Sequence, residues 1–145
     1  MSRSGYVDDY EEPALTLYRR AVENAIKGKR GQALLRELES ALVALPDKAL
    51  TCEDMARPED DSVCALGAVA LKRGIDKGKD RLTVLKEIAE KFPEGCEAPE
   101  LCDEFNIAEA LAKEITYVND EMAPGGPKAR YEYVLNWVRR QIVKV

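Results

Sequence analysis

Between Arg30 and Leu45 apolar residues recur at helical spacing. At about 100° per residue, Leu34, Leu38, Ala41 and Leu45 fall on one line, and Leu35 and Leu42 widen it. Gln32, Arg36, Glu39 and Ser40 lie opposite, and good helix formers fill nearly every position. Pro46 ends the run, because proline has no amide to donate and disfavours helix at the residue before it. The spacing predicts a central core helix. Before it, Leu15, Tyr18, Val22, Ala25 and Ile26 predict a first helix over about 13–27, opened by Pro13 and stopped by Gly28. So short a link makes these two helices neighbours in space.

The same patterning continues downstream. A short helix is expected after Thr51, with Thr51 as its cap. Ser62 is expected to cap VCALGAVAL (63–71), a run apolar on every side and therefore buried. Gly67 should lie where another helix, the central one, comes too close for a side chain. Asp80 opens a helix to about Phe92, and a turn or two of helix follows the Pro- and Gly-rich loop 93–100. Asn106 and Glu109 have the spacing of a capping box before Ile107, Leu111, Ile115 and Val118. APGGP (123–127) breaks the chain ahead of a last helix over about 128–143. No stretch reads as a strand. The expectation is an all-α fold, one compact helical domain of about six to eight helices over 13–145, preceded by a polar arm over 1–12.

Composition narrows the chemistry. A chain of 145 residues suits a single domain, and a net charge of -5 argues against general nucleic-acid binding. No apolar run approaches the ~20 residues that span a bilayer, and the first residues lack the apolar core of a signal peptide. A cytoplasmic location with no membrane partner is therefore expected, and the four cysteines should be metal-free thiols. Histidine is absent, which removes Ser-His-Asp and Cys-His nucleophile systems and the HExxH metal site. No catalytic residue, metal or cofactor is expected.

Four constellations remain. Cys52, Cys64, Cys96 and Cys102 contain no CxxC pair, so a zinc site would need the fold to gather all four thiolates. Glu87 and Glu90, then Glu100 and Asp103, repeat an ExxE…ExxD pattern similar to the Mg²⁺ signature of all-α nucleotide pyrophosphohydrolases. The plainer reading is a solvated acidic face, since only the proline-bearing stretch 91–99 separates the pairs. Across 19–36 six basic residues face one acid, Glu23. Lys27, Lys29, Arg30, Gly31 and Arg36 cluster at the start of the central helix, where free amides favour an anion and Gly31 permits close approach. They could take a nucleotide, a phosphate or an acidic partner, or simply be a solvated hairpin. In the last helix Tyr131, Leu135, Val138 and Ile142 form the expected core stripe. Tyr133, Trp137, Arg140 and Lys144 form a second line with the aromatic-and-cation composition of a contact surface for a partner or a second copy of the chain.

Four stretches carry a likeness. They are MSRSGYVDD at the start, GKRGQALLREL with ALVALP (28–46), VCALGAVALKRGID (63–76) and FNIAEALAKEITYVNDE (105–121). Together with the tryptophan-bearing last helix, they make the chain resemble small accessory proteins of tailed bacteriophages. The likeness covers most of 1–76 and 105–145, while 77–104 departs from it as a possible insertion. That family has no assigned activity, so it transfers no catalytic residue. It implies a phage origin and a role in the cytoplasm of an infected bacterium. The resulting expectation is a non-enzymatic protein that binds a host protein, as an inhibitor of an antiviral defence system. The alternatives are a nucleotide sponge built on the basic cluster and a Mg²⁺-dependent nucleotide hydrolase built on the four acids.

Overall fold

A computed structural model describes residues 12–93 and 98–144. The polar arm up to residue 11 and Cys96 lie outside the described residues. Among the described residues seven α-helices make one all-α domain. They are α1 (Glu12–Lys27), α2 (Lys29–Ala44), α3 (Ala65–Asp76), α4 (Arg81–Lys91), α5 (Ala98–Phe105), α6 (Glu109–Tyr117) and α7 (Pro127–Gln141).

The apolar stripe of α2 is its buried face: Leu34, Leu35, Leu38, Ala41 and Leu42 are all in the core. It packs on α3, α7 and α1, and α6 closes the other side against α1, α3 and α5. Burying side chains of this size stabilises by about 1.5–3 kcal/mol each, so the α2 stripe dominates the core. The segment 77–104 is part of the same core, through Val84, Leu85, Ile88, Phe92 and Leu101.

Between α2 and α3 the chain departs from the expected helix after Thr51. Two short strands, β1 (Ala56–Arg57) and β2 (Ser62–Val63), pair antiparallel around a 3-10 turn, Pro58–Asp60. Asp61 closes that turn at φ 53°, a left-handed conformation that aspartate tolerates better than most residues. Ser62 is therefore in a strand, and α3 is capped instead by Cys64, whose sulfur accepts from the Gly67 amide at 3.4 Å.

Gly67 does mark a close approach, but the partner is β1's approach segment and not α2. A Cβ at Gly67 would lie 1.9 Å from the Met55 carbonyl oxygen. Asn106 is not a helix cap either. It ends α5 at φ 54°, and the Ile107 amide bonds back to the Cys102 carbonyl, the closure that terminates a helix with a left-handed residue. Proximity of a cap-like pair to an apolar run could not distinguish a helix start from the end of the helix before it.

The end of α6 holds a polar knot. Its last turn widens into a π-helical turn, Val118–Met122. Asn119 is 1% exposed, and its Oδ1 accepts from the Ala65 amide at 3.0 Å while its Nδ2 donates to the Thr51 carbonyl at 3.0 Å. Asp120 accepts from the Asn119 side chain and from the Glu53 amide. One asparagine thus satisfies the start of α3 and pins the 51–63 segment, where buried backbone groups would otherwise go unpaired.

Candidate functional site: a basic face where α2 meets the end of α7

The basic cluster of 27–36 does not converge on one point. Gly31 is buried, and a Cβ there would sit 1.9 Å from the Ala25 carbonyl oxygen. The corner at Gly28 folds the last turn of α1 over the first turn of α2, so α1's carbonyls occupy the approach that an anion would need. The anion cradle expected at Lys29–Gly31 is thereby corrected: Gly31 serves helix packing. Arg30 turns toward the α5–α6 connection and donates to Asn106 Oδ1 at 3.3 Å. Lys27 is exposed at the end of α1.

Lys29, Gln32 and Arg36 share one side of α2, by their three- and four-residue spacing. That side meets the chain after α7. Gln32 Nε2 donates to the Ile26 carbonyl at 2.8 Å and the Gln141 carbonyl at 3.0 Å, and its Oε1 accepts from the Val143 amide at 2.8 Å. Arg36 donates to the Val143 carbonyl at 2.8 Å. One amide side chain therefore ties together the ends of α1 and α7 and the start of α2. Gln32→Ala should cost about 1–3 kcal/mol, since three backbone groups lose their partner. Hydrogen exchange at residues 141–144 would rise by at least about tenfold. Unchanged protection there would show that the joint does not hold the tail.

The second expected surface is half corrected. Trp137 is 7% exposed and belongs to the core, together with Tyr131, Val134 and Val138. Tyr133, Leu135 and Ile142 are half-buried at its margin. The buried face of α7 is rotated by about 60° from the stripe read in the sequence, toward Val134 and Trp137. On this face the Tyr131 hydroxyl donates to the Leu42 carbonyl at 2.9 Å and ties α7 to α2. Trp137 therefore cannot be an exposed contact residue.

Arg140 and Lys144 do remain exposed. With Asn136, Arg139 and Ile142 they line an open cleft of about 590 Å³. Arg139 crosses to Glu39 of α2 at 2.9 Å, so the cleft is stitched to α2 by an ion pair as well as by Gln32 and Arg36. The fold thus brings Arg36 of the first surface to the end of α7, which carries Arg139, Arg140 and Lys144 of the second. Cations here also complement the carboxyl end of α7.

The other constellations stay dispersed. Among the described residues no three or more Cys, Asp or Glu side chains come together as a metal site. Glu87 pairs with Lys79 at 3.0 Å, and Glu90 and Asp103 are exposed. Cys64 is buried beside Met55, while Cys52 and Cys102 are half-buried elsewhere. Burial pushes the Cys102 thiol above its ordinary range, helped by Glu109 and Asp103 nearby, which lowers its thiolate content.

The fold and this face define the chain as an all-α domain with a basic surface. No family model, no curated protein and no solved structure matches it. No helix among the described residues is long and apolar enough to cross a membrane.

Proposed function

We propose that this chain is a non-enzymatic binding protein that docks an acidic surface of a host protein through the basic α2–α7 face. The carrying observation is the joint at Gln32 and Arg36, which sets Arg36 at the end of α7 that carries Arg140 and Lys144, on a chain of net charge -5. Opposite charge on a partner steers association and fixes its orientation. The resemblance to accessory proteins of tailed phages suggests the setting, the cytoplasm of an infected bacterium, and inhibition of a defence protein is the role proposed for it there. The scattering of Arg30, Gly31 and Arg36 weighs against a compact nucleotide site on the same residues.

The test is capture from a bacterial lysate by the wild-type chain and by Arg140→Glu/Lys144→Glu, at low and physiological salt. Both substitutions are on exposed positions, so helical circular dichroism should be unchanged. The expected result is a host protein held by the wild type and reduced at least about tenfold by the double variant. Identical captured sets from the two chains would refute the face. A melting temperature raised by nucleotides and not by any captured protein would favour the sponge instead.

A further inference from the structure

A second cleft lies at the opposite end of α7, and one arginine in it lacks a counter-ion. Among the described residues four arginines are half-buried: Arg57, Arg73, Arg81 and Arg130. Three have a carboxylate at ion-pair distance: Arg57 with Asp54 at 2.6 Å, Arg73 with Glu37 at 2.7 Å and Arg81 with Asp61 at 2.7 Å. Arg130 has none. Its Nη1 donates to the Leu50 carbonyl at 2.9 Å, and its Nε is fully buried without a hydrogen-bond partner. The guanidinium is only half-buried, so the edge it shows to the solvent is a cation with no carboxylate at ion-pair distance.

The surroundings are built to receive one. Arg130 lines a cavity of about 470 Å³ between α7 and the 49–62 segment. The Leu50 amide bonds to the Pro127 carbonyl at 3.1 Å, so the wall is locked to the first turn of α7. Pro127 opens the helix at that wall, and Gly126 supplies no side-chain cap, so the helix dipole adds positive potential at the same place. Ala49, Leu50 and Pro127 give the cavity apolar walls, and Ser62 offers a hydroxyl. Arg57 also borders it, but Asp54 already neutralises that charge, and Asp60 stands at the rim.

We propose that this cavity binds a small organic monocarboxylate, with its carboxylate against Arg130 and its apolar body against Ala49, Leu50 and Pro127. A single uncompensated cation matches a single negative charge. Asp60 at the rim and the apolar walls oppose a polyphosphate. The cavity volume falls within the ~300–1,000 Å³ usual for small-molecule sites. The site is separate from the basic face at the other end of α7, so either assignment can fail alone.

The experiment uses amide chemical-shift mapping of the full chain with acetate, benzoate and inorganic phosphate. Benzoate should bind saturably with shifts at residues 49–52, 57–62 and 126–131, at least about tenfold tighter than acetate because the ring is buried as well. Phosphate should not compete at equal concentration. Arg130→Met, which keeps the stem and removes the charge, should weaken benzoate by at least about tenfold. The wild-type titration decides the matter even if that variant does not fold. No saturable shift with benzoate, shifts mapping to residues 136–144, or equal binding of phosphate would each overturn the proposal.

Discussion

Trp137→Ala is expected to destabilise the domain by about 3–5 kcal/mol, because it empties a large space in a close-packed core. At this chain length that lowers the melting temperature by roughly 10 °C or more. The indole is 7% exposed and belongs to the cluster that includes Leu35, Leu38 and Leu42 of α2. Its fluorescence should be blue-shifted in the isolated chain, and the shift should disappear on unfolding. An unchanged melting temperature with red-shifted emission would place Trp137 on the surface, and the packing of α7 described above would be wrong.

Gly67→Ala should be almost as damaging, at about 3 kcal/mol or more. In an exposed helix interior the same change would stabilise by about 1 kcal/mol, so the sign itself is diagnostic. The difference arises from the Met55 carbonyl oxygen, 1.9 Å from where the new carbon would go. That atom is backbone and is held in place by the Cys64 amide at 3.1 Å. Neither side can yield without moving α3 away from β1. Gly126→Ala is the matched control. A Cβ at Gly126 meets nothing within 4 Å, so the change should cost no more than the ~1 kcal/mol of a poorer helix cap and lower the melting temperature far less than at Gly67. Equal tolerance at both positions, measured by thermal unfolding, would contradict the close approach at Gly67.

The helices were legible because their apolar residues repeat with the period of a helix, and α2 is the clearest case. What periodicity could not supply was the roll of α7. Leu135 is as apolar as Val134, so periodicity alone does not choose between the stripe through Leu135 and Ile142 and the one through Val134 and Trp137. The β1–β2 hairpin was hidden because each strand is two residues long, too short to show alternation. Asn119 and Gln32 were missed for a related reason. Each matters through bonds to backbone more than fifty residues away, and such partners leave no mark in local sequence. Gly31 shows the opposite hazard. Glycine beside lysine and arginine at a helix start suggests an anion site, yet here the missing side chain makes room for α1. The cations of the candidate site were visible as two separate patches, and only the Arg36–Val143 contact shows that they meet at the end of α7.

The basic α2–α7 face is tested most directly by titrating a protein captured from lysate against three purified chains. These are the wild type, Arg140→Glu/Lys144→Glu and Lys86→Glu, the last reversing an exposed lysine on α4. The account predicts that the double variant binds about 10–100-fold more weakly, with a flatter salt dependence, while Lys86→Glu stays within about twofold of the wild type. Equal affinity of all three chains, or an equal loss at Lys86, would contradict it.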